Sequence, residues 1–474
     1  MTQANPSTAV PELRRPVGPS AARTPGRGLG GDAVGAAALL SVVYVVALWV
    51  ANRGLQDLAG GTGPALTSLG RVLGLVAADL LLVQCLLMAR IPWAERTWGQ
   101  DRLARWHRVL GFASFHTMLA HVVLITIGYA ASDGHGVLRE LWSLIWTYPG
   151  MLLATAGTLL LVLVTVTSIR RARRRLRYES WHLLHLYAYL GVGLALPHQV
   201  WTGTDFVSSP WARAYWWTLW IAAAAAILVC RVATPLWRSW RHQLRVTRVV
   251  PEAPGVVSVH LAGRRLDRLG ARAGQFLNLR FLDGPGWTRG NPYSLSAAPR
   301  PSALRVTVAA AGDGSARAAR LAPGTRVLIE GPYGGLTADA RTDLARPVVL
   351  LGAGVGITPL RALLDDIYAP DRTTLVVRAR NDDDLLFPAE LEAFGRVRGV
   401  RVIPLVGRRA GPDSWLPRQY ADVDDAEALR RMVPAIEEAE VYVCGPTAWS
   451  EAVVAAARRA GVPAARIHEE RFSW

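Results

Sequence analysis

Six of the ten histidines fall in two stretches: His107, His116 and His121, then His182, His185 and His198. His107 and His121 are 14 residues apart; His185 and His198 are 13 apart. On a helix each pair spans about 20 Å, at 1.5 Å per residue. Fourteen residues return to nearly the same helix face, whereas thirteen miss it by about 140°. Pro197, directly before His198, breaks or kinks a helix and so restores the direction. Two imidazoles at equal depth on facing helices are the donor set of a six-coordinate haem. The spacing therefore pairs His107 with His185 and His121 with His198, as ligands of two stacked haems. A lone histidine would instead be read as a hydrogen-bonding group inside a bundle. His116 and His182 lie off the paired positions and are read that way.

The second half of the chain carries a different set of groups. Asn291-Pro292-Tyr293-Ser294 offers an aromatic ring and a hydroxyl, which pack on and hydrogen-bond to a flavin. Gly312 and Ser315 lie in a glycine turn whose N–H groups suit a pyrophosphate. Glu330-Gly331-Pro332-Tyr333-Gly334 follows. Gly352, Gly354 and Gly356, with Thr358 and Pro359, sit between an apolar run and a helical pattern. Such a turn lets backbone approach a dinucleotide, and a helix N-terminus attracts phosphate. The spacing is Gly-x-Gly-x-Gly, not the Gly-x-Gly-x-x-Gly of a Rossmann turn. Cys444-Gly445-Pro446 closes a later strand, and the last residues include Phe472 and Trp474.

These groups need two kinds of scaffold. Half of the 474 residues are hydrophobic (51%) and only 19% are charged, against about 25% in soluble domains. Six apolar runs carry this excess: 33–51, 66–89, 106–130, 148–169, 181–201 and 212–234. Each approaches the ~20 residues that cross a bilayer. All 53 basic residues are Arg, and they cluster in alternate loops. The loops after the second, fourth and sixth runs are Arg-rich, so these and the N-terminus are expected in the cytoplasm. Both histidine-bearing runs then start from the same side, which is what sets His107 level with His185 and His121 level with His198. Residues 1–31 read as a disordered tail with no signal-peptide pattern. Three cysteines are too few and too scattered for a disulfide framework or a cysteine metal site. The arginine placement argues for topology rather than a nucleic-acid surface.

Beyond residue 240 the pattern is that of a soluble protein. Short alternating strands are expected at Leu244–Val249, Val256–Leu261, Phe276–Phe281, Leu304–Ala309 and Arg326–Ile329, as in a small antiparallel barrel. Pro347–Leu351, Thr358–Tyr368 and Thr374–Arg378 read as strand, helix, strand, and so as a parallel sheet.

In this order the motifs resemble those of the NADPH oxidase and ferric reductase superfamily, from about residue 33 to 474. The membrane half is similar to the ferric reductase transmembrane domain, and the soluble half to the ferredoxin-NADP reductase module. The resemblance implies a multidomain fold. A disordered cytoplasmic tail (1–31) precedes a six-helix transmembrane bundle (32–236), an antiparallel β-barrel FAD domain (240–340) and an α/β parallel-sheet NAD(P)H domain (345–474). It implies that His107 and His185 ligate an inner haem b, and His121 and His198 an outer one. Tyr293 and Ser294, with Pro292, would contact the flavin, and Gly312 and Ser315 would lie near its pyrophosphate. Gly352, Gly354, Gly356, Thr358 and Pro359 would form the nucleotide loop, with Cys444, Gly445 and Pro446 near the nicotinamide. Trp474 or Phe472 would cover the isoalloxazine. The family's flavin motif begins with a basic residue where this chain has Asn291, so Arg289 or Arg280 is expected to stand in. The eukaryotic oxidases place a further histidine where this chain has Ile125, and no calcium-binding loop precedes the spans.

NADPH is favoured over NADH, because Arg378, Arg380, Arg408 and Arg409 follow the nucleotide-domain strands and suit a 2′-phosphate. Arg71, inside the second run, is read as a partner for a haem propionate or for an internal ion pair. The implied activity moves electrons from cytoplasmic NAD(P)H through FAD and two haems to an outer acceptor: a ferric chelate, O₂ or a redox protein. Two alternatives stand beside it. One is a membrane-anchored flavin reductase that feeds a redox partner, in which His121 and His198 are dispensable. The other is a structural membrane subunit.

Overall fold

The computed structural model describes residues 29–169, 173, 178–284, 290–310, 317–367, 369 and 371–472. The tail to residue 28, most of the arginine loop 170–177, Arg289, Gly312, Ser315 and Trp474 lie outside the described residues. The chain divides into two compact units, Gly26–Ala233 and Thr234–Trp474.

The first unit is helical. Its long helices are α1 (Leu29–Ala51), α2 (Thr62–Met88), α3 (Gln100–Asp133), α5 (Met151–Ser168), α6 (Tyr178–Trp201) and α7 (Pro210–Ala226). Four helical stretches are both long and apolar enough to cross a membrane: Thr62–Met88, Arg102–Asp133, Met151–Ser168 and Pro210–His242. Within α1, Gly35–Ala51 is a further apolar helical stretch. In α6 three histidines (His182, His185 and His198) and the tyrosines at 187 and 189 dilute the apolar pattern. The helix α4 (Val137–Thr147) has no counterpart in the sequence reading. It buries Glu140 and Leu144 and exposes Leu138, Trp142 and Trp146 on one face at fourfold spacing.

Small residues bring the helices close. A side-chain carbon added at Gly157 of α5 would lie against the Gly191 carbonyl of α6, and one at Gly191 would lie 3.0 Å from the Gly157 carbonyl. Without a hydrophobic drive between helices in lipid, such contacts let backbones pack directly. Two buried charges inside the unit have side-chain partners. Arg71 lies 3.0 Å from Asp57 and 2.9 Å from Asp205, and it donates to the Asn52 carbonyl. Of the two readings of Arg71, the structure has the ion pair. Asp79 accepts from Ser41 at 2.6 Å and from Tyr215 at 2.5 Å.

The second unit opens with α8 (Thr234–His242) and continues into six strands: β1 (Arg245–Ala253), β2 (Val256–Ala262), β3 (Phe276–Phe281), β4 (Asn291–Ser294), β5 (Ala303–Ala309) and β6 (Val327–Tyr333). They form two three-stranded antiparallel sheets, β1-β2-β5 and β4-β3-β6. Isolated bridges join the sheets at Arg245–Arg326 and Leu295–Val306. Leu261, Leu277, Leu279, Leu295, Val306 and Ile329 fill the space between them. Four of the five expected strands run longer than expected, and Asn291–Ser294 adds a sixth.

A five-stranded sheet of order β11-β10-β7-β8-β9 follows, with every pair parallel. Its strands are β7 (Val348–Ala353), β8 (Thr373–Ala379), β9 (Arg401–Val406), β10 (Glu440–Pro446) and β11 (Ile467–Phe472). Helices α9 (Ile357–Asp366), α10 (Pro388–Arg398), α11 (Asp425–Met432) and α12 (Thr447–Arg459) accompany it. Every residue of β7 is buried, as a central strand covered on both faces requires.

Asp205 is nearly fully buried, and Arg71 is its ion-pair partner. Arg71→Met leaves that charge uncompensated, a loss of about 3–5 kcal/mol for a buried pair broken on one side. The thermal midpoint in detergent is expected to fall, and adding Asp205→Asn is expected to recover part of the loss.

Candidate functional site

Two sites emerge, one in each unit. In the helical unit α3 carries His107 and His121, and α6 carries His185 and His198. The rings of His107 and His185 have centres 6.0 Å apart at an interplanar angle of 73°. Two imidazoles bound on opposite sides of one metal ion have ring centres about 6 Å apart, because each metal–nitrogen bond is about 2 Å. His121 and His198 lie within electrostatic reach of each other. The structure thus sets His107 directly beside His185. Pro197 lies inside α6, and the helix continues past it to Trp201.

Three of the four Nδ1 atoms have a neighbour behind them. His121 Nδ1 donates to the Gly70 carbonyl at 2.7 Å, and His198 Nδ1 to the Ala195 carbonyl at 2.7 Å. His185 Nδ1 lies 3.3 Å from Ser168 Oγ. His107 Nδ1 is buried and faces the backbone of Gln84 without reaching hydrogen-bond geometry. A ring tied through Nδ1 presents Nε2 as its ligating atom, the arrangement of metal-bound histidines. Two glycines make room for this. A side-chain carbon at Gly74 would stand 2.5 Å from His121 Nδ1. One at Gly150, whose φ is +81°, would stand 2.7 Å from the His198 nitrogen. His116 behaves as read from the sequence: its Nδ1 bonds the Phe112 carbonyl of its own helix at 2.8 Å.

In the second unit the nucleotide candidates converge on one edge of the parallel sheet. β7 ends at Ala353 and runs into the Gly354–Gly356 turn, from which α9 starts at Ile357. Register places Cys444 beside Gly352, Ala353 beside Arg378, and Pro446 beside Phe472. Arg380 and Arg408 follow the ends of β8 and β9. The strand order reverses between β7 and β10, which makes a topological switch point, where open α/β sheets bind ligands. Gly354 is exposed there with φ +53°. Gly356 is buried against the Cys444 carbonyl, so any side chain would force the two turns apart. Thr358 and Pro359 are buried in the first turn of α9.

The arginines sort by their partners. Arg378 is buried and bonds the carbonyls of Ala379 and Leu405, and Arg409 holds those of Ser414, Pro412 and Ala448. Arg380 and Arg408 are exposed at the carboxyl edge. Burial pushes the Cys444 thiol well above its ordinary value, with the charges of Glu470 and Glu469 adding to the shift.

At the flavin motif, Tyr293 is packed in the sheet core and pairs across to Leu277. Its hydroxyl meets the Asn291 side chain, and burial pushes its pKa up to about 12. Asn291 thus faces Tyr293 as a hydrogen-bond partner. The Arg280 guanidinium lies 3.0–3.2 Å from where a side chain on Gly290 would begin, next to the start of β4, and 3.6 Å from Glu330.

Comparison with known proteins gives a family match in each unit. A family described as "Ferric reductase like transmembrane component" matches residues 73–196, which contain His107, His121 and His185 and end two residues before His198. A second, "Oxidoreductase NAD-binding domain", matches 350–455, which contain the glycine turn and Cys444–Pro446. The chain is a ferric reductase-like protein fused to a ferredoxin-NADP reductase-type module. Homologues and domains mark this ferric reductase-like chain as an NAD(P)H-dependent oxidoreductase, with a module that binds FAD and NAD(P)H. It is 30% identical over 256 residues to a glycine betaine monooxygenase reductase subunit of Chromohalobacter salexigens, covering 51% of this chain and 67% of that one. It is 32% identical over 254 residues to a flavohemoprotein of Deinococcus radiodurans, covering 50% of this chain and 60% of the relative. It thus spans about three fifths of the length of the flavohemoproteins it matches. A cytochrome P450 reductase of Amycolatopsis is 26% identical, with TM-score 0.40, over 49% of this chain and 69% of that one.

Cys444 is expected to stay unmodified by iodoacetamide at pH 8 in the folded chain and to react fully after denaturation, read by peptide mass spectrometry.

Proposed function

We propose that this chain is a multi-pass membrane oxidoreductase. It takes electrons from cytoplasmic NAD(P)H and passes them through FAD and two bis-histidine b-type haems to an outer acceptor, a ferric chelate or O₂. The observation that carries this reading is the 6.0 Å separation of the His107 and His185 rings, with His121 and His198 each tied through Nδ1 to a backbone carbonyl. When bound, the flavin splits a hydride pair into single electrons and the haem irons relay them one at a time.

The residues divide the work. His107 and His185 hold the inner iron, and His121 and His198 the outer. Gly70, Ala195 and Ser168 fix the ring orientations, and Gly74 leaves space behind His121. The six long helices form the bundle that excludes water from these rings. The N-terminus and the arginine-rich loops face the cytoplasm, as does the second unit. β1–β6 form the flavin-binding barrel of residues 240–340, with Tyr293 and Ser294 at the ring. Arg280 supplies the cation that Asn291 cannot. Gly312 and Ser315 reach the pyrophosphate.

The Gly352–Gly356 turn and the N-terminus of α9 bind the nucleotide phosphates in residues 345–474. Cys444–Pro446 border the nicotinamide. Cys444 is a neutral, buried group there and shapes the site rather than acting as a nucleophile. Trp474, or Phe472 beside it, covers the flavin ring until nicotinamide arrives. Arg380 and Arg408, exposed at the sheet edge, favour NADPH over NADH.

Under argon, NADPH added to the FAD-loaded protein in detergent is expected to reduce two haems, followed by their optical bands. His198→Ala should remove one haem and leave the other reducible by NADPH. His185→Ala should abolish reduction of whatever haem remains. A haem-free protein that still oxidises NADPH would overturn the relay and leave an anchored flavin reductase.

A further inference from the structure

A buried network of four charges crosses from the flavin strands to the nucleotide-binding helices. Arg305 on β5 sends a two-pronged contact to Glu390 of α10, at 2.5 and 3.0 Å. Its other edge donates to Ser296, to Oγ at 3.1 Å and to the carbonyl at 2.6 Å. Glu390 also accepts from Arg361 of α9, whose second arm reaches Asp365 at 2.5 Å. Asp365 in turn accepts the backbone N–H of Ala298 at 2.9 Å. The four side chains are each at most 15% exposed. Two positive and two negative charges balance. Arg305 also lies over the Phe387 ring at 5.0 Å.

The network's ends fix its significance. Ser296 and Ala298 follow directly after β4, which carries Tyr293 and Ser294. Arg361 and Asp365 lie on α9, which starts from the glycine turn. Burial alone would push the Glu390 carboxyl up, yet the Arg305 hydrogen bond and the Arg361 and Arg305 charges hold it below its usual range. A fork-to-fork contact fixes direction as well as distance, and buried pairs of this kind often add little net stability.

We infer that the Arg305–Glu390–Arg361–Asp365 network is a positioning device that sets the flavin strand against the nucleotide turn, so that nicotinamide and flavin meet at reacting distance. This rests on the proposed flavin and nicotinamide sites. Arg305 and Glu390 are positioning residues: they act through Ser296 and α9. Misplacement of reacting groups by about 1 Å costs up to about a hundredfold in rate.

The test is Glu390→Gln in the full chain, followed by stopped-flow bleaching of the flavin with NADPH. The expected result is a hydride-transfer rate at least tenfold below wild type, with FAD content kept and the NADP⁺ Kd, by calorimetry, within twofold. Hydrogen exchange at Ser296 and Ala298 should rise in the same variant. A rate within threefold of wild type, with both ligands bound, overturns the inference. Should Glu390→Gln lose FAD, Arg305→Lys keeps the charge and gives up the fork. Slowing with FAD retained then supports the device, and an unchanged rate overturns it. Wild-type protein that binds FAD but is not bleached by NADPH would refute the proposed sites themselves, a separate outcome.

Discussion

An imidazole inside a hydrocarbon layer must satisfy two nitrogens, and this constraint organises the helical unit. Leaving a buried polar atom unpaired costs a kilocalorie or more. For His121 and His198 a backbone carbonyl takes Nδ1, and for His185 a serine hydroxyl lies beside it. Nε2, left unprotonated, then needs a donor or a metal ion, and the helix N–H groups are already committed to their own carbonyls. The glycines beside His121 and His198 follow from the same demand: a larger residue at 74 or 150 would displace the ring or its backbone. The close approach of Gly157 to Gly191 lets α6 lie near its neighbour and holds the second histidine pair in place.

The second unit solves a different problem. A hydride moves only between groups held in contact, so two modules of separate cores must share a fixed boundary. Ala273, Ala298 and Leu336 from the flavin side pack in the same cluster as Ile357, Leu360 and Leu363 of α9. The charged network from Arg305 adds direction to that apolar contact. At the far end of β7, Gly356 lies so close to Cys444 that the two turns at the switch point form one surface. The buried cysteine serves here by being small and neutral.

Much of this was legible in the sequence where one local period decides the structure. His107 and His121, the glycine turn and the β7–α9–β8 unit are such cases, because 14-residue spacing and a run of buried aliphatics leave few alternatives. Four features were not legible. The helix α4 mixes tryptophan, leucine and charge in eleven residues, too short for a span and too apolar for a loop. Asn291–Ser294 is a strand only because β3 pairs with it, and Pro292 hides that in propensity terms. The partners of Arg71 and Arg305 lie 134 and 85 residues away, so only the fold brings them together. The sorting of Arg378 and Arg409 from Arg380 and Arg408 was hidden for the same reason.

The central claim is that α3 and α6 hold two irons between paired imidazoles. It is tested most directly by purifying the chain from haem-replete cells, counting haem per chain as the pyridine adduct and recording low-temperature electron paramagnetic resonance of the oxidised protein. Two haems per chain with low-spin signals of bis-imidazole coordination are expected, falling to one in His121→Ala. No haem, or a high-spin signal unaffected by that substitution, would contradict the account.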